Sequence, residues 1–396
     1  MEFYKKGNGP SSSHTMGPKK AAEMFKKSYK EADFFEVILY GSLALTGKGH
    51  LTDYIIEQTL KPIETKIVFD KKTKCDVHPN TMVLIAYKDQ QELGRWMVYS
   101  IGGGAIRIVG KESQEPEEIY KLNTFNEIKQ YCEQNNKQIY DYVYETLGEI
   151  WEAMKESICF GLNAEGIIPG KLQLSKRAKS IYNNKIENEP TEVKRTRLLT
   201  AYAYAVSETN ASGGEIVTAP TCGSCGVLPA TLYYLQKEDK YTDEEIINAL
   251  ATAGIIGNIV KTNASISGAE CGCQAEIGTA CSMAAAACSQ LRKLDIYKIE
   301  HAAEIAMEHH LGLTCDPIYG YVQIPCIERN AVAAIRAIDA SNISMLLDEN
   351  QKISFDLITE TMYETGKDLR SHYRETSTGG LAKKYCRNKY YNTDME

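Results

Sequence analysis

The stretch SGAECGCQAEIGTACSMAAAAC, residues 267–288, combines glycine, alanine and four cysteines and sets the character of the second half of the chain. Cys281 and Cys288 are seven residues apart, a spacing that fits one face of a helix. The alanines around them indicate close packing, since a free cysteine packs as a small hydrophobic residue. The part of the stretch around Cys281 and Cys288 therefore predicts buried helix, with both cysteines packed as small hydrophobic residues.

Residues on either side of this stretch extend the helical pattern. From about Asn126 onward, long helical runs rich in alanine, isoleucine, methionine and glutamate follow one another. The charged, proline-bearing stretch KESQEPEE at 111–118 precedes them and indicates a linker or its edge. We therefore expect a linker over residues 116–135 and an all-α domain over residues 136–396.

The first hundred or so residues mix strands with helix. Residues 18–30 predict an amphipathic helix. Three runs predict strands: FFEVILY at 34–40, MVLIAY at 82–87 and RWMVYSI at 95–101. This mixture is typical of an α+β domain, which we place at residues 1–115.

Composition excludes several classes of protein. The net charge of -7 comes with no dominant basic stripe, which argues against nucleic acid and anionic membranes as partners. The most apolar stretch, residues 249–260, is shorter than a bilayer requires, and the N-terminus shows no secretory signal. We therefore expect a cytoplasmic protein whose twelve cysteines are structural thiols, ligands or reactive groups rather than disulfides.

Eight of the twelve cysteines lie between Cys222 and Cys326. Cys222 and Cys225 form a C-x-x-C pair that suits half of a zinc site or a redox pair, yet no second pair follows at zinc-finger spacing. Cys315 in GLTCDPIYG and Cys326 in VQIPCIERN lie beside prolines, which predicts irregular backbone whose N–H groups could hydrogen-bond an iron-bound thiolate. Spacing alone leaves both metal-binding and structural roles open.

Two histidines lie in loops suited to chemistry. His14 lies in GPSSSHTMGP, a serine-rich loop that enters a helix and gathers O–H and N–H donors suited to a carboxylate. His50 lies in GSLALTGKGHLTD, after a strand and a glycine-rich turn. An ordinary surface role stays open for each.

The sequence shows no specific binding pattern for a nucleotide or for pyridoxal phosphate. Gly102, Gly103 and Gly104 follow a predicted strand, but neither G-x-G-x-x-G nor Gly-Lys-Ser/Thr accompanies them, so a nucleotide site is weakly indicated. No lysine context specifically suggests a pyridoxal phosphate Schiff base, and we expect no such cofactor.

Ten long motifs in order closely resemble the bacterial type of iron–sulfur L-serine dehydratase (L-serine ammonia-lyase) in its single-chain form. The similarity covers nearly the whole chain. The motifs are GPSSSHT, YGSLALTGKGHLTD, YSIGGG, TAPTCGSCGVLPA, NASISGAECGCQAEIG, CSMAAAA, MEHHLGLTCDP, VQIPCIERNA, TMYETGKDL and YRETSTGGLA.

The resemblance implies an N-terminal α+β domain related to allosteric substrate-binding domains, followed by an all-α catalytic domain. It implies a [4Fe–4S] cluster held by Cys273, Cys315 and Cys326, with one iron left open as a Lewis acid. The implied reaction converts L-serine to pyruvate and ammonia, a lyase step of amino-acid catabolism that supplies gluconeogenesis. The implied assembly is a homodimer.

The resemblance also assigns roles within the site. His50 is the expected base for the Cα proton, and His14 is the expected orienting or proton-handling partner. Five residues are expected to bind the substrate: Ser12, Ser13, Ser100, Thr221 and Asn263.

The chain departs from the family near its C-terminus. Relatives end with a cysteine soon after GGLA, and that cysteine can enter a neighbouring active site and occupy the open iron. Here Cys386 follows GGLA, but ten more residues come after it, so it offers a sulfur and no terminal carboxylate. Cys386 is thus a possible transient iron ligand.

Other functions fit parts of the pattern. A cysteine desulfidase or a threonine deaminase could use the same scaffold. A non-catalytic iron–sulfur sensor would use the cysteines but would give the histidines and serines no role. A structural zinc protein would need a fourth ligand besides the three chosen cysteines.

Overall fold

The computed structural model describes residues 3–73, 75, 77–111, 120–143, 146–347 and 351–387. The strands of this part are β1 (Lys6–Asn8), β2 (Phe34–Tyr40), β3 (Glu64–Asp70), β4 (Thr81–Lys88), β5 (Gln91–Gly102), β6 (Ala105–Ile108) and β7 (Glu215–Val217). The α-helices are α1 (Gly17–Ser28), α2 (Gly41–Thr46), α3 (Thr52–Leu60), α4 (Phe125–Asn135), α5 (Gly148–Asn163), α6 (Ala178–Asn183), α7 (Thr191–Ala211), α8 (Val227–Asp239), α9 (Asp243–Asn263), α10 (Gly268–Cys271), α11 (Thr279–Leu291), α12 (Ile296–Glu308), α13 (Cys326–Leu346), α14 (Phe355–Asp368) and α15 (Gly380–Arg387).

The N-terminal half is built on a five-stranded sheet in the order β3-β2-β4-β5-β6. β2 runs parallel to β3 and antiparallel to β4, and the remaining pairs are antiparallel. Alternation along β2 buries Phe35, Val37 and Leu39 on one face, where Phe35 meets Phe25 of α1 with ring centroids 5.6 Å apart. The three predicted strands lie within β2, β4 and β5, and the predicted helix corresponds to α1. The mixed sheet with helices confirms the α+β character of this half.

The C-terminal half is helical, with α11 at its centre. α11 packs against α8, α9, α12 and α13, and all its residues except Gln290 are buried. Four consecutive alanines, residues 284–287, let the neighbouring helices approach closely because their side chains add little volume. Cys281 and Cys288 are fully buried in α11, which confirms the prediction from their spacing.

The first residues of the chain belong to the helical half. β1 pairs antiparallel with β7, with Lys6 opposite Val217. Phe3 and Tyr4 are buried in the hydrophobic core between the C-terminal helices, which is the larger of the two cores, and the Tyr4 hydroxyl donates to the Leu250 carbonyl at 2.7 Å. This anchoring holds the serine-rich loop that follows β1 against the helices, before the chain enters the sheet.

The predicted linker, residues 116–135, contains α4. A capping box of Thr124 and Glu127 starts this helix, and Phe125 and Ile128 are buried in the larger core. Residues 116–119 lie outside the described residues, and the predicted boundaries at 115 and 135 stay a prediction. None of the described helices is long and apolar enough to cross a membrane.

Candidate active site

The serine-rich loop forms a short π-helical turn, Ser12–Met16, that fixes the first histidine. The Ser11 hydroxyl accepts from the His14 backbone N–H at 3.1 Å and caps the turn. The His14 ring lies between two hydroxyls: Nδ1 is 2.9 Å from Ser13 Oγ and Nε2 is 3.0 Å from Ser42 Oγ. Ser42 belongs to α2, so the ring is held from two elements at once.

His50 lies on the turn between α2 and α3, beside His14. The Thr15 hydroxyl donates to the His50 carbonyl at 2.7 Å, and the two imidazole centroids are 4.3 Å apart. Both ring nitrogens of His50 are buried without a hydrogen-bond partner among the described residues. A buried imidazole with two unsatisfied nitrogens is costly for the fold alone, which favours a role with a bound molecule.

Glu375 joins the histidines to the cysteine region. Its Oε1 lies 3.6 Å from His14 Nδ1 and 3.7 Å from His50 Nε2. Its backbone carbonyl accepts from Ser42 Oγ at 2.6 Å, and its backbone N–H donates to the Cys315 carbonyl at 2.8 Å. The segment before α15 therefore contacts both the two histidines and the segment of Cys315.

Three buried or half-buried cysteines, Cys273, Cys315 and Cys326, lie near Glu375. Cys273 precedes the π-helical turn Gln274–Gly278, and Cys326 is the first residue of α13. Cys315 lies on an extended segment bridged to Arg374. The expectation of irregular backbone at Cys326 is therefore wrong: proline does precede Cys326, but as the N-cap of α13. Two of the three sulfurs lie at helix N-termini, where backbone N–H groups favour negative charge.

The thiols form one electrostatic group. A hydrogen bond with the Cys315 thiol lowers the pKa of Cys273 to about 6, and the same contact raises the pKa of Cys315. Burial raises the pKa of Cys326, and its neighbour Cys273 raises it further. The half-buried guanidinium of Arg329 lowers the pKa of both Cys273 and Cys326. This arrangement favours one thiolate already in the iron-free chain.

Glu276 faces the same region from the turn after Cys273. Thr221 Oγ1 donates to its Oε1 at 2.7 Å. A Cβ atom at Gly268 would lie 2.5 Å from Oε2, and one at Gly223 would lie 3.0 Å from Oε1, so both glycines leave room for the carboxyl group. Burial, followed by the charge of Cys273, raises the pKa of Glu276 to about 8.

The other residues predicted to bind substrate occupy different places. Ser12 is buried in the serine loop, and Ser100 supports that loop because its hydroxyl donates to the Ser13 carbonyl at 2.7 Å. Asn263 is exposed at the end of α9, where its side chain donates to the Asn123 carbonyl at 2.6 Å. The structure brings His14, His50 and the serine loop together and does not bring Asn263 into contact with them.

The remaining cysteines near these motifs have other neighbours. The Cys222 thiol donates to the Met16 sulfur at 3.5 Å, and Cys225 is fully buried. Cys271 packs against Gly366. Cys386 is exposed on α15, beside the Tyr319 hydroxyl. A transient role for Cys386 at the site stays a prediction.

Sequence reasoning missed three residues of the site: Glu276, Arg329 and Glu375. All three lie inside quoted motifs, GCQAEIG, PCIERN and YRETSTGGLA. The available signal was a charged residue among small or apolar ones, next to a proposed ligand or a glycine-rich turn. That signal does not say which other segment a charged side chain will contact.

The histidine pair is kept neutral. Burial lowers the pKa of His50 to about 4, and burial together with neighbouring His50 holds the pKa of His14 well below its usual value. Both imidazoles are therefore neutral near neutral pH, and the His50 ring, whose nitrogens have no hydrogen-bond partner among the described residues, has a lone pair available. Burial, followed by the charges of Glu276 and Cys273, raises the pKa of the neighbouring Glu375 carboxyl group well above its usual range.

We expect this burial to appear in the pH dependence of stability. In the unfolded chain His50 becomes protonated below pH 6.5, whereas in the folded chain it stays neutral down to about pH 4. The contribution of neutral His50 is thus present above pH 6.5 and is lost as the pH falls, by about 2 kcal/mol between pH 6.5 and 5. Urea unfolding of the iron-free protein should show a smaller acid destabilisation for His50→Gln than for wild type. Equal pH dependence of the two proteins would contradict the assignment.

Comparisons with known proteins agree with the motif order. The family model described as serine dehydratase alpha chain matches residues 106–382, and the one described as serine dehydratase beta chain matches residues 1–61 and 56–112. An L-serine dehydratase of Haemophilus influenzae is 39% identical over 450 positions, covering 97% of this chain and 98% of that protein. L-serine dehydratases of Escherichia coli K12 and Helicobacter pylori 26695 are 39% and 38% identical, covering 96% and 97% of this chain and 98% of each relative.

Proposed function

The chain belongs to the iron–sulfur serine dehydratase family in its single-chain form, and from that premise we propose that it dehydrates and deaminates L-serine to pyruvate and ammonia. One observation carries the proposal: Glu375 lies beside two buried, neutral imidazoles and is hydrogen-bonded to the segment of Cys315, one of the three grouped thiols. A proton acceptor and a metal-ligand set are thus neighbours in the fold.

The three thiols fit a [4Fe–4S] cluster with one open iron. Cys273, Cys315 and Cys326 would hold it, since their sulfurs interact and two of them lie at helix N-termini. Among the described cysteines, Cys222 and Cys271 have contacts elsewhere, and no fourth thiol joins the three. When bound, such a cluster supplies a Lewis acid for the substrate hydroxyl, because hydroxide is otherwise a poor leaving group.

The histidines do the proton chemistry. His50, with both ring nitrogens free of hydrogen bonds among the described residues, is the proposed base for the Cα proton. His14 is the proposed partner, because Ser13 and Ser42 fix its ring. Loss of water leaves aminoacrylate, which takes up water and releases ammonia to give pyruvate.

Carboxyl and hydroxyl groups of this site suit a zwitterionic substrate. We propose that the carboxyl groups of Glu276 and Glu375 accept hydrogen bonds from the α-ammonium group. The donors of the serine loop suit the α-carboxylate. Substrate-binding roles stay proposals for Ser12, Ser13, Ser100, Thr221 and Asn263.

Release of 2-oxo acid from L-serine, L-threonine and L-cysteine, measured side by side under anaerobic conditions, tests the function. We expect L-serine to be preferred, with about four irons per chain and an absorbance band at about 400 nm that air bleaches together with activity. Fully active protein without iron would rule out the mechanism. Preference for L-cysteine or L-threonine would select the desulfidase or threonine deaminase alternative, and a loaded cluster without turnover would select the sensor.

Assembly and location are further proposals. We propose a homodimer in the cytoplasm, with no pyridoxal phosphate and no membrane or nucleic-acid partner. Light scattering of the purified chain tests the dimer, and the absorbance spectrum of the active enzyme tests for pyridoxal phosphate.

A further inference from the structure

We propose that Arg329 is a positioning residue: its guanidinium ties the three cysteine segments together and offsets the negative charge of their thiolates. The inference rests on the proposed function, because the group that the thiolates would hold is the proposed cluster. Neither the motif order nor the resemblance assigned a role to this arginine.

The contacts of Arg329 reach the segment on both sides of Cys315. Nη1 donates to the carbonyl of Thr314 at 2.6 Å, and Nη2 lies 3.7 Å from Oδ1 of Asp316. Thr314 and Asp316 are the residues immediately before and after Cys315. The guanidinium therefore fixes the backbone on which the Cys315 thiol is carried.

The same side chain reaches the other two thiols. Arg329 lies three residues after Cys326 on α13, so the two side chains share one face of the first helical turn. Its guanidinium also lies close enough to Cys273 and Cys326 to lower the pKa of both thiols. One side chain thus contacts or neighbours all three segments, which come from positions 273, 315 and 326 of the chain.

The geometry requires arginine rather than another cation. A guanidinium carries five N–H donors in a rigid plane and can serve a carbonyl, a carboxylate and a sulfur at the same time. A lysine ammonium keeps the charge but cannot hold these directions together. The two functions of Arg329, charge and bracing, can therefore be separated by substitution.

Asp316 extends the brace to the C-terminal segment. Its Oδ1 accepts from the Thr314 hydroxyl at 3.0 Å, and its Oδ2 accepts from the Leu381 backbone N–H at 2.5 Å. The segment from Glu375 to α15 is thereby fastened to the same loop as Cys315. Substitution of Arg329 should therefore first increase the mobility of residues 314–316.

The charge of Arg329 has a consequence for the redox behaviour of the site. Its side chain is 21% exposed, so solvent screens the charge only in part. Net charge and hydrogen bonds to sulfur set the reduction potential of an iron–sulfur cluster. Removing a cation next to the thiolates should make the cluster harder to reduce.

The test compares Arg329→Gln and Arg329→Lys with Arg336→Gln, an exposed arginine two turns further along α13. Each full-length protein is loaded with iron and sulfide under anaerobic conditions. We measure the rate at which EDTA bleaches the cluster and the midpoint potential by redox titration. We expect at least ten-fold faster bleaching in both Arg329 variants, a more negative potential in Arg329→Gln, and a potential close to wild type in Arg329→Lys. Arg336→Gln should match wild type.

A second measurement uses iron-free protein. Hydrogen exchange of peptides covering residues 314–316 should become at least ten-fold faster in both Arg329 variants and stay unchanged in Arg336→Gln. Unchanged exchange, or Arg329→Gln with wild-type bleaching and potential, would overturn the inference. Failure of the wild-type chain to bind iron would instead overturn the proposed function, and hydrogen exchange would still decide the brace. If Arg329→Gln does not fold, Arg329→Lys decides by its bleaching and exchange rates.

Discussion

Cys273→Ala is expected to lose both iron and serine turnover, whereas Cys222→Ala keeps both. Cys273 begins the turn that carries Glu276, and its sulfur interacts with those of Cys315 and Cys326. With three protein ligands and no fourth thiol among the described residues, loss of one leaves two, which is too few to hold a cluster. Activity should fall to the background of the assay.

Cys222 is a matched control because it is also buried and belongs to a quoted motif. Its thiol contacts Met16 rather than the three clustered thiols, so alanine there removes packing and no ligand. Iron and sulfide per chain, measured after anaerobic purification, give the comparison. Equal loss of iron in both variants would contradict the ligand assignment, and so would full iron content in Cys273→Ala.

His50→Gln is expected to lower kcat by about 10³-fold while iron per chain stays at the wild-type level. Glutamine keeps polarity and similar bulk at the buried position but cannot take the Cα proton. Because the His50 ring makes no hydrogen bond to a cysteine segment among the described residues, the loss should affect proton transfer and not iron content. The absorbance spectrum and the kcat for L-serine are measured on the same preparation.

His301→Gln provides the control for this variant. His301 lies on α12, where Nε2 of its half-buried ring is 3.9 Å from Oε2 of Glu304. Its kcat should match wild type. Turnover near wild type in His50→Gln would remove His50 as the base, and a large loss in His14→Gln alone would transfer that role to His14.

Local patterns predicted much of the architecture. The run FFEVILY coincides with β2, and the helix predicted at residues 18–30 ends within two residues of the end of α1. Both predictions succeed because the spacing of apolar side chains in a strand or helix depends only on residues close together in the sequence. The spacing of Cys281 and Cys288 predicted their burial in one helix for the same reason.

Local patterns failed where partners are distant in sequence. The pairing of β1 with β7 joins residues more than 200 positions apart, and strands of three residues are too short to show a periodicity that would predict it. Asn263 lies in a long quoted motif, yet its side chain contacts Asn123 rather than the histidines or the serine loop. A motif identifies a segment, whereas packing determines where each side chain of that segment points.

The sequence by itself determined that a helical, cysteine-rich half follows an α+β half, and its motif order determined the family. Only the tertiary structure decided that Glu375 meets His14 across 361 positions of chain, and that Arg329 braces the loop of Cys315. The reason is physical. The periodicity of apolar side chains depends on residues close together in the sequence, whereas a buried charged side chain needs a polar partner, and folding brings that partner from a distant part of the chain. The stretch 267–288 contributes Cys273 and Glu276, but the other two thiols and both histidines reach that place from elsewhere in the fold.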